Sequence, residues 1–192
     1  MEDIALFLIG YLIGSILFGE ILSRSKGVNI REVGSGNVGA TNVARALGKK
    51  YGLIVFLLDM LKGFIPVLIA GLWTGWGSWG VAFAGTGAVS GHMFSLFSRF
   101  RGGKGVATAM GVVLAISWKM ALLLIVVWGT VLAITRYVSV ASTISAVSAL
   151  VLFVIADYPP PLITMALIVS VLIVFKHRSN FQRLISGYEP KI

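Results

Sequence analysis

The chain has 192 residues, of which 57% are hydrophobic and only 12% charged, and it carries a formal net charge of +9 with no cysteine. A soluble domain of this size has no means of hiding so much apolar surface, because its exterior must meet water, so a bilayer is the solvent the composition calls for. The basic residues lie in short segments beside apolar runs, which reads as topology signalling and as partnership with membrane lipids or anionic substrates rather than nucleic acid, and the missing thiols exclude disulfides, thiolate nucleophiles and Cys-ligated metals.

A spanning helix takes about 20 apolar residues. The first is predicted from Ile4 to Leu22, and the acidic Glu2 and Asp3 ahead of it mark a retained helix rather than a cleaved signal. The second runs from Leu53 to Trp73 and the third from Trp79 to Phe97. From Val106 to Thr135 the chain stays apolar except at Trp118-Lys119, a pair suited to a membrane interface. The last two spans are Val138 to Ile155 and Leu162 to Phe175, with the prolines of Asp157-Tyr158-Pro159-Pro160-Pro161 read as a stop between them.

Read as one helix, Val106 to Thr135 gives six spans; read as two short ones turning at Trp118-Lys119, it gives seven. The excess of Lys and Arg in cytoplasmic loops arbitrates. With seven spans and the N-terminus outside, every basic loop residue except Lys119 shares the cytoplasmic face, whereas six spans would put the basic tail outside. The expectation is therefore an all-α, single-domain polytopic membrane protein over residues 1–192, with seven spans and a cytoplasmic C-terminus. The fourth helix would be short, since about 1.5 Å per residue leaves it under the roughly 30 Å hydrocarbon core; it is allowed to begin as early as Gly102.

This topology gathers three polar segments on one face. The first holds Gly34-Ser35-Gly36-Asn37-Val38-Gly39-Ala40-Thr41-Asn42 and then Arg45, where glycines let backbone N–H groups line a concavity fit for phosphate and the guanidinium adds a two-pronged donor. The second holds Gly102-Gly103-Lys104-Gly105 at the start of a helix, again exposed backbone beside a cation, though without Walker A spacing or a preceding strand. Arg99 and Arg101 are read as topology markers, and Phe94, Phe97 and Phe100 as packing against lipid or a neighbouring helix. The third begins Lys176-His177-Arg178-Ser179-Asn180, where Asn180 has the amide chemistry to donate to a carbonyl oxygen. His92 reads better as a buried hydrogen-bonder. Asp59 and Lys62 share a helix face, and they are either a neutralising pair that orders the bundle or functional groups. Gly10 with Gly14, and Gly87 with Gly91, have the spacing of close helix contacts. The seven acidic residues form no metal-site pattern within one cytoplasmic segment. The His-x-x-x-x-Asp pattern of common acyltransferases is missing, since Gln182 follows His177 by five and Phe97 follows His92 by five.

In series, these segments resemble the bacterial membrane acyl-phosphate:glycerol-3-phosphate acyltransferases. The first motif is matched by Gly34-Ser35-Gly36-Asn37-x-Gly39-Ala40-Thr41-Asn42-x-x-Arg45. The second is matched by Gly91-His92-x-Phe94-Ser95-x-Phe97 and Gly102 through Thr108, and the third by His177-Arg178-x-Asn180 with Arg183, Gly187 and Glu189. Thr135 through Ser139 with Ser142, and Asp59-x-x-Lys62-Gly63, also look like family features. The resemblance implies a transferase of phospholipid biosynthesis that moves a fatty acyl group from acyl phosphate to the 1-hydroxyl of glycerol 3-phosphate, giving lysophosphatidic acid and phosphate. It implies a monomer in a bacterial inner membrane, with the site on the cytoplasmic face and neither metal nor cofactor. On this reading Arg45, Lys104, His177 and Asn180 take glycerol 3-phosphate. Ser35, Gly36, Asn37, Thr41 and the surrounding backbone take acyl phosphate, with Gly39, Asn42, Gly102 and Gly103 helping to form the binding loops and Ser142 adding a hydroxyl to either site. The proton goes to His177 or to a substrate phosphate. The rivals are a small anion transporter, for which no internal repeat is found, and a lipid-binding scaffold, which would need charge but no glycine loop with placed Ser, Asn and Thr.

Overall fold

The computed structural model describes residues 1–192 and contains helices joined by loops. In chain order they are α1 (Glu2–Gly14), α2 (Phe18–Ser25), α3 (Ala40–Leu47), α4 (Lys49–Thr74), α5 (Trp79–Met93), α6 (Val106–Ile116), α7 (Trp118–Thr135), α8 (Val138–Ile155), α9 (Pro160–Lys176) and α10 (Arg178–Ile185). Helix is the solution available to an isolated apolar segment in lipid, because it satisfies every backbone N–H and C=O within itself. Four segments are long and apolar enough to cross a membrane: Glu2–Ser25 taken through its break, Lys49–Thr74, Trp118–Thr135 and Val138–Ile155. Pro160–Lys176 and Arg178–Ile185 are bent by 45° from one another and reach that length only when the pair is counted as one span.

Unlike a soluble bundle, this one turns apolar side chains outward as well as inward. Along α4, Leu53, Leu57, Leu61, Ile65, Ile69 and Leu72 form an exposed stripe, while Gly52, Asp59, Lys62 and Gly63 turn inward. Small residues let helix backbones touch. Gly10 and Gly14 of α1 lie on Ala84 and Ala88 of α5, and Gly87 and Gly91 of α5 lie on the Phe7 and Tyr11 carbonyls of α1. Gly63 of α4 meets Thr108 of α6, and Gly111 of α6 meets Met60 of α4, by the same reciprocal device.

Several boundaries differ from the expected ones. The first helix is interrupted between Gly14 and Phe18. Side chains from distant parts of the chain take up the carbonyls freed there: Lys62 Nζ of α4 donates to the Ile16 oxygen at 2.6 Å, and Ser95 Oγ, in the loop after α5, donates to the Ser15 oxygen at 2.6 Å. Lys62 also pairs with Asp59 at 2.8 Å, so these two side chains neutralise each other and hold the break. The third helix stops at Met93, short of Phe97. A 3-10 turn at Leu96–Ser98 follows, ending on left-handed Arg99 and Phe100. Phe97 and Phe100 are exposed, while Phe94 packs inward beneath the Lys176 ammonium, 4.8 Å from the ring centre.

The long apolar stretch does divide, but at Ser117, one residue before the expected pair. Ser117 caps α7 by accepting the Met120 N–H, so the interfacial Trp118 and Lys119 open α7 instead of forming a turn. The prolines start a helix as much as they separate two. Left-handed Asp157 lies beyond the end of α8, Pro159 caps α9, and the prolines after it occupy its first turn, where a missing N–H costs nothing. The main core lies among α4 to α9 with Leu6 of α1, and a smaller cluster of Leu17, Ile30, Val38, Val43 and Val55 fixes the first polar loop and α3 against α2 and α4.

Candidate active site

The loop between α2 and α3 is folded around one side chain. Asn42 is 1% exposed. Its Oδ1 accepts the Ser35 N–H at 2.9 Å, and its Nδ2 donates to the carbonyls of Ile30 (3.2 Å) and Val33 (2.9 Å). Gly36 has φ +68, and a Cβ there would lie 2.9 Å from the Arg31 carbonyl, so the turn needs glycine. The loop is stapled to the second polar segment by Arg31, whose guanidinium donates to Glu20 (2.6 Å), Ser98 Oγ (2.8 Å) and the Arg101 carbonyl (2.7 Å).

In the second segment, the Gly102 N–H bonds the Met93 carbonyl at 3.2 Å and the Gly103 N–H bonds the His92 carbonyl at 3.0 Å. Gly103 rests on the His92 ring, leaving no room for a Cβ. These bonds correct the expected nest of free backbone donors. The N–H groups of Gly102 and Gly103, with those of Ser35 and Gly36, are spent inside the chain. Those four donors are closed to an anion, whereas the side chains that the loops present remain available.

Those side chains converge. Ser35, Gly36 and Asn37 from the first loop meet Gly102, Gly103 and Lys104 from the second, and Lys176, Arg178, Ser179 and Arg183 close the third side. They line an open basin with no hydrophobic residue in its wall. Lys104 is fixed in the wall by a bond from Nζ to Asn180 Oδ1 at 2.5 Å. Asn180 Nδ2 in turn donates to Glu189 Oε1 at 2.6 Å, and the same oxygen accepts Ser139 Oγ at 2.8 Å. Arg183 Nε holds Glu189 Oε2 at 2.9 Å. The buried His177 caps the junction of α9 and α10, with Nδ1 2.8 Å from the Ile173 carbonyl. That bond makes Nδ1 the protonated nitrogen of the neutral ring and leaves Nε2 as an acceptor.

Burial pushes the Lys104 ammonium down to about 8; Glu189 pulls the other way, and Arg183, Arg45 and Lys176 add repulsion. Burial, reinforced by Lys104, pushes His177 down to about 4. Burial alone would raise the Glu189 carboxyl, but hydrogen bonds from Asn180, Ser139 and Arg183 hold it below the ordinary value. The site is a concentrated positive potential around a neutral imidazole, ready for a phosphate dianion.

Of the residues singled out in the sequence, Ser35, Gly36, Asn37, Gly102, Gly103 and Lys104 line the basin, and His177 and Asn180 lie buried against its floor. Arg45 and Thr41 are exposed on α3 outside the lining; Arg45 is near enough to act on Lys104. Gly39 caps α3. Asn42 shapes the loop rather than facing the basin. Ser142 opens elsewhere, into an apolar cavity among α6, α7, α8 and α9, where its Oγ accepts the Trp128 indole N–H at 3.2 Å. The cavity adjoins the basin, since its wall residue Val106 follows Lys104-Gly105 and its wall residue Ile173 holds His177. The hub role of Glu189 was not read from its motif, although a carboxylate in a basic tail, one of only seven acidic residues, was the available signal.

A family model described as glycerol-3-phosphate acyltransferase matches residues 4–187. A protein of Aquifex aeolicus named glycerol-3-phosphate acyltransferase is 51% identical over 191 residues, covering 100% of both chains. The crystal structure of PlsY (YgiH), an integral membrane glycerol 3-phosphate acyltransferase, in its glycerol 3-phosphate form superposes with a TM-score of 0.97 at 49% identity, covering 100% of this chain and 96% of that one. Its lysophosphatidic acid form gives a TM-score of 0.94 at 48% identity over the same shares. A cationic basin against an apolar cavity agrees with the match along nearly the whole chain: this chain belongs to the glycerol-3-phosphate acyltransferase family.

Proposed function

We propose that this protein transfers a fatty acyl group from acyl phosphate to the 1-hydroxyl of glycerol 3-phosphate. The observation that carries the reading is the pairing of a wholly polar, cationic basin with an apolar cavity whose wall begins at Val106, two residues after Lys104 of the basin. One suits two phosphates and the other a hydrocarbon chain. Lys104, with His177 and Asn180 behind it and Arg45 at the rim, takes glycerol 3-phosphate. Ser35 and Asn37 face them across the basin and take the acyl phosphate. The hydroxyl oxygen attacks the acyl carbon, the bond from that carbon to the phosphate oxygen breaks, and inorganic phosphate leaves with the hydroxyl proton.

A ring held at about 4 is a weak base at neutral pH, and His177 has a backbone carbonyl rather than a carboxylate behind it. Both features favour a donor whose leaving group is already good and whose own phosphate accepts the proton, with positioning and charge neutralisation supplying most of the rate. The related PlsY structures, in glycerol 3-phosphate and lysophosphatidic acid forms, support the acceptor and the product. The distribution of Lys and Arg supports seven spans with the N-terminus outside and the basin on the cytoplasmic face of a bacterial inner membrane. The basin is built within one chain, which supports action as a monomer.

The test is phosphate release from acyl phosphate by reconstituted protein, with and without glycerol 3-phosphate and with acyl-CoA as a parallel donor. The expected result is release that requires glycerol 3-phosphate, with lysophosphatidic acid in equal amount and no turnover of acyl-CoA. Turnover of acyl-CoA alone would overturn the donor assignment and leave the acceptor standing.

A further inference from the structure

The apolar cavity has a near end and a far end relative to the basin. On α6 it starts at Val106, beside Lys104, and reaches Val113; on α9 it starts at Ile173, beside His177, and reaches Met165. On α8 the near end is Ser142, one turn beyond Ser139, whose hydroxyl is bound to Glu189. The lining of α8 then steps through Ala146 and Ala149 to Phe153. Small side chains leave the middle open and a large ring closes the end. From Ser142 to Phe153 the helix rises about 16 Å.

Phe153 is built to stay where it is. It is fully buried. Its ring stacks on Tyr158 with centroids 4.4 Å apart and planes 26° from parallel, and its carbonyl accepts the Tyr158 N–H at 3.0 Å. A ring packed against Tyr158 on the side away from the cavity has nowhere to swing for a longer guest, because well-packed interiors resist added methylenes.

We propose that Phe153, backed by Tyr158, is the floor of the acyl cavity and sets the longest chain the enzyme uses well. This rests on the acyltransferase reading above and adds to it the residue that selects among donors. The acyl carbon sits at the basin, the chain runs down α8 past Ala146 and Ala149, and its methyl end meets the Phe153 ring. A chain one or two methylenes too long must push its carbonyl out of reach of the acceptor hydroxyl. Pockets of this kind discriminate by about tenfold or more per misplaced methylene.

The experiment is the ratio of turnover on long to short saturated acyl phosphates, across a graded series, for reconstituted protein. Phe153→Ala is expected to raise that ratio about tenfold around the cut-off. Ala149→Phe, and the milder Ala149→Leu, fill the middle of the cavity and are expected to lower it. The opposite directions separate a ruler from general damage, and the Ala149 variants decide the matter if Phe153→Ala does not fold. An unchanged ratio in variants that still turn over would overturn the proposal. Should the unaltered protein ignore acyl phosphate, the donor assignment fails on its own, and the same ratios taken with acyl-CoA decide the floor.

Discussion

Burial leaves the Lys104 ammonium easier to deprotonate than a surface lysine, at about 8, yet its bond to Asn180 aims it into a basin that needs positive charge. In the proposed assignment the charged form binds phosphate, so kcat/KM is expected to fall as pH rises through about 8. The kcat limb should lie higher, because a bound phosphate dianion favours the ammonium and kcat reports the substrate complex. Lys104→Ala is expected to lower kcat by about 10²–10³, the usual loss on removing one preorganised donor. Lys104→Arg should abolish the limb near 8 while restoring little rate, because a planar fork does not replace a compact ammonium in a buried wall. A pH–rate profile on all three proteins checks this, and a limb near 8 in the arginine variant would assign it to another group. Lys104, His177 and Asn180 were legible as chemistry because their motifs put unusual polar residues at a membrane surface. Glu189 was harder to read, because its work is to hold Asn180 and Arg183, and that depends on where the tail returns.

At the scale of elements, the packed glycine pairs of α1 with α5 and α4 with α6 were visible as small-residue spacings, since in lipid close backbone approach is a main source of helix association. The breaks were less visible. Nothing local to Ser15–Leu17 stops a helix in the apolar run from Ile4 to Leu22; the carbonyls freed there are bonded by Lys62, on α4, and by Ser95, in the loop after α5, both distant in sequence. Lys62→Met is accordingly expected to destabilise the protein by about 3–5 kcal/mol, since it strands the Asp59 carboxylate inside the bundle. The double variant Asp59→Leu/Lys62→Met should recover much of that loss, because it removes both charges together. Thermal unfolding in detergent measures both. A double variant as unstable as the single would show that the pair does more than neutralise itself and cap the break.

At the scale of the whole molecule, the proposed topology makes a prediction suited to a chain with no cysteine. A single thiol introduced as Lys119→Cys, at the start of α7, should react with an impermeant reagent from outside intact cells. One introduced as Ser179→Cys, in the basin lining, should react only once the membrane is opened. Labelling of both from the same side would remove the seven-span arrangement. The two halves of the site depend on this arrangement, because loops far apart in sequence form one basin only if they emerge on one face.

The sequence by itself determined the solvent of this protein, its helical class, its family resemblance and most of the residues around the basin, because apolar runs, charge bias and glycine-rich motifs are local signals. Tertiary structure alone decided which donors are free. Backbone N–H groups of Ser35, Gly36, Gly102 and Gly103, offered to phosphate by the motifs, are consumed by Asn42, Val33, Met93 and His92. It also decided that Ser142 faces an apolar cavity and that Glu189 ties the tail to the site. A hydrogen bond needs both partners in place, and only the folded chain brings the second one within reach.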